Sequence, residues 1–457
     1  MAAAIEERML SMICVGYSRV DFTPDFSVPL AGYGNTHKRM SQGWYNRIYA
    51  TGIAITDSAG QTLLLLGTDQ IRCVQAWTNA ARERITKATG IPGTHIMLAA
   101  IHSHSAPDIG AGIKEDHPYY EQYLNALTQA AVEAMADRAE ATLSLGRTTV
   151  PKMCFVRHYR MKDGGVVGDN FGNPTGREFA GHTMDADEEM QLIRFDRVGK
   201  KPVLMINWQA HPTVGSTSAT ESGRILRPFL GSDYIGACRD RVEAESDCLF
   251  VFFQGAAGNL NSRSRMVEET PTDNVHEYGQ QLAGFVLDAL GSMQPAQAGE
   301  LVTRRHIYEG ELDHTEDHLL EQAKEIRKIW ADTNNSALCA EAGEKYGIHS
   351  TYHAGAIMAR AAAGTTFEME LNAIGLGDIS FITAPYEMFC NSAQAVKANT
   401  PYPMTFVLSC ANSGAAYIAS TEAFDHGCYE VDNRKFVRGT AEKAVSHFLE
   451  MLKDLKK

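Results

Sequence analysis

Short apolar runs alternate with longer amphipathic stretches along the whole chain. The short runs predict strands over 61–67, 95–101, 203–208, 249–254, 367–374, 379–383 and 404–410. Several are apolar at consecutive positions, as strands covered on both faces must be. The longer stretches predict helices over 74–88, 119–140, 233–243, 275–290, 318–331, 387–398 and 437–455. Such alternation predicts an α/β architecture of mixed, layered sheets and helices, read as a single domain over 1–457. A block of helices at about 313–363 falls within it, and its role as lid, interface or plain packing stays open. No Pro/Gly/Ser linker and no internal repeat divides the chain.

Composition narrows the function. With 457 residues, 44% hydrophobic and 21% charged, the chain has the make-up of an ordinary globular protein. Its formal net charge of −13 speaks against a nucleic-acid partner, which needs a basic stripe. The first residues, MAAAIEERMLSMIC, lack the apolar core of a secretion signal, and no run approaches the length of a membrane span. The nine cysteines are scattered without a CxxC pair, which suits free thiols in a reducing compartment. The expected location is the cytoplasm. The expected partner is a small-molecule substrate without stable membrane association, and a homo-oligomer stays open.

Polar residues gather where apolar strands end: Asp69, His102, His211, Gly255 and Glu387. In α/β proteins ligand sites form along such strand ends. Within IHSHSAPD, His102 and His104 stand two apart, so an extended backbone points both the same way. Paired imidazoles can bind zinc, or divide metal binding and proton handling between them, or be a hydrogen-bonded turn pair. His211, in NWQAHPTVG, is either a structural histidine or a third imidazole for the same site. The turn QGAAGNLN around Gly255, Gly258 and Asn259 is either a tight strand exit or a nest of amides for an oxyanion. Arg157, Tyr159 and Arg160 are candidate substrate contacts or parts of a solvated loop.

Six segments, in order, resemble those of the neutral ceramidase catalytic domain. VGYSRVDFTPDFSVPLAGYG resembles its opening G-x(4)-D-I-T-P and P-L-A-G-Y-G; IHSHSAPD resembles T-H-T-H-S-G-P, and WQAHPTVG resembles A-x-H-x-T. GSDYIG is similar to S-A-D-x-x-G, APYEMF to P-G-E-F, and AAYIASTEAF to Y-x-T-T-x-E-E-Y. The resemblance implies that fold, without the C-terminal β-sandwich domain of full-length ceramidases. It implies one zinc per chain held by His102, His211, Glu387 and Tyr417, with His104 and Tyr417 as catalytic groups. Unaided chemistry singles out neither Glu387, which reads as a helix first-turn carboxylate, nor Tyr417, which reads as a half-buried aromatic.

The expected activity is zinc-dependent hydrolysis of an amide, with Gly255, Gly258, Asn259, Arg157 and Arg160 as substrate contacts. One departure stands out. Alignment without gaps puts Gly258 at the serine of the family's G-D-V-S-P-N motif, and Ser262 and Ser264 replace it poorly by register. Without a signal or second domain, a soluble N-acylated amine or amino sugar is the expected substrate. An ester or lactone hydrolase, a ceramidase proper, and a catalytically silent metabolite-binding protein are the alternatives.

Overall fold

Leu64 and Leu66 face one side of their strand while Leu63 and Leu65 face the other, and both sides are covered by other elements. That is why the run carries no polar position. The computed structural model describes residues 12–33, 39–217, 228–267 and 271–457. The reading of the first eleven residues lies outside these, as does the last glycine of PLAGYG.

The first sheet is built from β1 (Ile13–Asp21), β2 (Tyr49–Thr56), β3 (Thr62–Thr68), β4 (Ile96–Ala100), β5 (Ala139–Thr149), β6 (Glu189–Arg197), β7 (Val203–Trp208) and β8 (Leu249–Gln254). Their order is β8-β7-β6-β5-β1-β2-β3-β4, with Gln294–Ala296 added beside β5. Only β7–β8 and β3–β4 run parallel among these pairs. A second sheet joins β9 (Leu301–Glu311), β10 (Thr366–Leu376), β11 (Ile379–Thr383) and, past the short β12 (Glu387–Met388), β13 (Met404–Leu408). β14 (Tyr417–Ile418) pairs with β12 in parallel.

Besides short turns of helix at Val214–Thr217 and Thr421–His426, the helices are α1 (Gln75–Thr89), α2 (Pro118–Ala136), α3 (Tyr234–Glu245), α4 (Val275–Leu290), α5 (Leu320–Thr333), α6 (Ser336–Gly343), α7 (Thr351–Ala361), α8 (Cys390–Asn399), α9 (Tyr429–Asp432) and α10 (Thr440–Leu455). The sheets pack face to face: Val15, Ile53, Leu65, Met205 and Phe253 meet Ile374, Phe381 and Phe406. α1 to α4 cover the outer face of the first sheet, and α8 and α10 that of the second. The result is a helix–sheet–sheet–helix stack. α5 to α7 keep a small core of their own around Ile326, Cys339 and Ile357. All nine cysteines are free. No helix among the described residues is long and apolar enough to cross a membrane.

Two expectations about elements are corrected. The helix expected over 119–140 stops at Ala136, and β5 starts at Ala139. There Ala141 and Leu143 alternate into the core between the sheets, and tertiary burial overrides the helical preference of Ala and Glu. Glu387 does not open a helix. Its amide bonds to the Ala416 carbonyl at 2.9 Å, extending it as a strand, and α8 begins only at Cys390.

Candidate metal centre

Two strand exits deliver three imidazoles to one point. His102 follows β4 with φ of 67°, a left-handed conformation that is costly for a residue with a Cβ. Cys410 and Ala416, which line the same cavity, share it at 54° and 66°. His211 follows β7, and His104 turns back so that its amide bonds to the Pro212 carbonyl at 3.1 Å. Nε2 of His211 lies 3.1 Å from that of His102 and 2.9 Å from that of His104, and the last two are 3.4 Å apart. All three side chains are buried.

The second nitrogens fix what the first can do. Nδ1 of His102 donates to the Ile71 carbonyl at 2.7 Å, and Nδ1 of His211 donates to the Ala257 carbonyl at 3.1 Å. His211 therefore presents Nε2 as a lone pair, and His102 does so when neutral, the orientation that backbone carbonyls impose on metal-binding histidines. Nitrogens this close need a proton or a metal cation between them. Glu387 adds an anion: its Oε2 is 3.2 Å from His102 Nε2 yet accepts no well-directed hydrogen bond. The β12–β14 pairing sets Glu387 directly opposite Tyr417, so two of the expected ligands share one register position.

The electrostatics agree. Burial and the neighbouring His102 push the His104 and His211 pKa values well below the usual imidazole range. Against the cost of burial, Cys410 and Glu387 raise His102, and His102 in turn holds the Glu387 carboxyl down at about 2. The pocket thus accepts one added positive charge at the meeting point rather than three protons. The donor set of two or three imidazoles, a carboxylate and a phenol fits zinc, with Tyr417 its unusual member.

His104 differs from its neighbours. Its Nδ1 is buried with no hydrogen-bond partner among the described residues, and its ring borders two cavities. Gly32 makes room for it, since a Cβ there would stand 2.4 Å from that nitrogen. This gives a physical reason for the glycine of the PLAGYG segment. The smaller cavity, about 360 Å³, runs past Ile71, Arg72, Asp108, Tyr386 and Cys410. The larger, about 620 Å³, is lined by polar residues including Thr213, Asn261, Ser262 and Ser264. Tyr352, Tyr417 and Tyr429 border both.

The remaining expected contacts divide. Arg157 reaches the site, its guanidinium 5.5 Å from the Tyr417 ring and 5.9 Å from that of Tyr429. It is anchored by Glu430 at 2.5 Å and by the Gly258 carbonyl at 2.8 Å. Arg160 is exposed, bonded to the Thr183 carbonyl, and lies outside both cavity linings, while Tyr159 is buried against Asp169. The amides of Gly255 and Gly258 are bonded to Trp208 and Met388 carbonyls, each at 2.8 Å, so neither is open to an oxyanion. Asn259 accepts from the Cys390 amide at 2.9 Å and is fully buried. Asp69 pairs with Arg239 instead of facing the site.

Gly258 has a steric reason. A Cβ there would lie 2.6 Å from the Glu387 carbonyl, so no serine fits without moving the strand that carries Glu387. Sequence reasoning passed over Tyr429, Glu430, Tyr352 and Arg72. Tyr429 and Glu430 lie in CYEVD, a run without a distinguishing pattern, and only the packing of α9 brings them in.

No family model matches the chain, and no curated protein matches it. Among solved structures it is similar to neutral ceramidase from Pseudomonas aeruginosa, with a TM-score of 0.71 and 17% identity over 98% of this chain and 75% of that one. It is also similar to a ceramidase complexed with C2, with a TM-score of 0.68 and 18% identity over 97% of this chain and 75% of that one. The chain thus has the fold of a neutral ceramidase over nearly its whole length.

Proposed function

We propose that the protein is a zinc-dependent hydrolase that cleaves an amide bond in a small, polar N-acyl compound, such as an N-acylated amine or amino sugar. The observation that carries this reading is the convergence of the three Nε2 atoms, with Nδ1 of His102 and His211 tied to backbone carbonyls. Residues His102, His211, Glu387 and Tyr417 would hold the ion. When bound, zinc supplies Lewis acidity toward a carbonyl and acidifies water to a pKa of about 7.

The chain's own groups do the rest. His104, kept neutral by burial and with one nitrogen unpartnered, takes a proton from the attacking water and gives it to the departing amine. Arg157, fixed by Glu430, holds positive charge beside the Tyr417 ring. Tyr429, whose phenol burial keeps protonated, is a hydrogen-bond donor at the border of both cavities. The polar lining of the larger cavity supports a soluble substrate over a membrane lipid. Nine free thiols support a reducing location, the cytoplasm.

Elemental analysis of the wild type and His211→Ala tests the reading. The wild type is expected to carry one more zinc per chain than the variant. Equal metal in both, with the variant folded, would remove the metal site and favour a binding protein without catalysis.

A further inference from the structure

The helical block meets the rest of the molecule through a second cluster of metal-binding side chains. His349 lies just before α7, His353 lies on it, and Asp432 ends α9. Nδ1 of His349 is 2.9 Å from Asp432 Oδ2, and Nδ1 of His353 is 3.7 Å from Oδ1. One donor atom from each of the three lies within 4.8 Å of the others.

The surroundings point to a ligand. Nε2 of His353 donates to Glu316 at 3.1 Å, and Glu316 is itself paired with Arg434 at 3.0 Å and with Arg360. A carboxylate behind the far nitrogen of a histidine is the usual outer support of a metal ligand. It leaves Nδ1 of this fully buried ring as an acceptor, which takes the His349 amide at 3.3 Å and lies 3.7 Å from Asp432 Oδ1. His349 is half-exposed, which leaves an entry path and an open position for water. The buried trio His158, Cys428 and Glu430 differs, because Arg157 and His158 already take both oxygens of Glu430.

We propose that His349, His353 and Asp432 form a second metal site, separate from the catalytic one, with Glu316 orienting His353. Two nitrogens and one carboxylate select a zinc-like transition metal over magnesium or calcium. A metal there joins α7 to α9. Tyr352, beside His353, and Tyr429, on α9, meet at 6.0 Å and border both cavities, so the site braces the mouth of the catalytic pocket.

The test is a zinc titration of the chelator-stripped full chain, read as bound metal per chain, on wild type, His349→Ala, Asp432→Asn and His211→Ala. Two zinc ions are expected in the wild type and one in each variant, with thermal melting to show that each is folded. Because the His349 side chain is half-exposed, its removal is expected to leave the fold intact, as melting would show. One zinc in the wild type, unchanged in His349→Ala and lost in His211→Ala, would overturn this site and leave the catalytic reading standing. Zinc lost in His349→Ala but not in His211→Ala would support this site and overturn the catalytic one.

Discussion

At the scale of single residues, the site is a matter of which nitrogen carries a hydrogen. His102 and His104 are visible in sequence as an HxH, but the carbonyls of Ile71 and Ala257 that fix His102 and His211 are not, because any residue has a carbonyl. In the proposed function, His104, whose Nδ1 has no partner, is the proton-handling member. His104→Ala is expected to keep zinc and to lose about 10²–10⁴ in kcat, the usual worth of a general acid or base. His102→Ala is expected to lose the zinc itself, which metal analysis of the two variants distinguishes. Gly258 looks in sequence like a lost catalytic serine, whereas in the structure its missing Cβ is what lets Glu387 approach. Gly258→Ser should therefore destabilise the protein by about 1–3 kcal/mol, the cost of overpacking, measured by denaturant unfolding. A serine accepted at no cost would show that this contact does not constrain the site.

At the scale of elements, strands buried on two faces were legible because their apolar runs are uninterrupted, as in 203–208 and 249–254. β1 and β5 were not, since their half-polar sequences give no run and the helix-forming residues of AEAT continue the pattern of α2. The two-residue strand at Glu387 is set by a partner thirty residues away, beyond any local signal. α9 is a single turn, yet its Glu430 is fully buried and holds both Arg157 and His158. Against the cost of burial, Arg157 and the hydrogen bond from His158 keep its carboxyl far below the usual range. Glu430→Ala should cost about 3–5 kcal/mol, the penalty for stranding a buried charge, in chemical denaturation.

α3 carries a pH signature. Its cap, Asp233, accepts from the Gly215 amide at 2.7 Å, and burial raises its carboxyl to about 7. A carboxyl raised on folding binds its proton more tightly in the folded state, so its contribution is full below about pH 4 and fades as pH rises through 7. The melting temperature should thus fall between pH 5 and 8 by an amount that Asp233→Asn removes. A slope unchanged in the variant would assign it to other groups.

At the scale of the whole molecule, two sheets face each other between layers of helices, and the ends of β4, β7 and β11 come to one edge. Sequence foresaw layers and a convergence of strand ends, but not that most neighbours are antiparallel, because pairing direction leaves no mark on an apolar run. It also placed Asp69 at that edge, where the structure gives it to Arg239. The helical block is attached to this frame by charged pairs around Glu316 and Asp432 instead of a shared apolar core. Zinc that binds only the folded state should raise stability by about 2.7 kcal/mol at a hundredfold excess over Kd, seen as a melting temperature that rises with metal.

Hydrolysis of an amide at the three-histidine site is tested by release of free amine from a panel of short N-acyl amines and amino sugars, run with zinc-loaded protein, after chelation, and after zinc is restored. Turnover is expected that chelation abolishes and zinc restores. A folded, zinc-loaded protein that releases no amine from any member of the panel would contradict the proposed function.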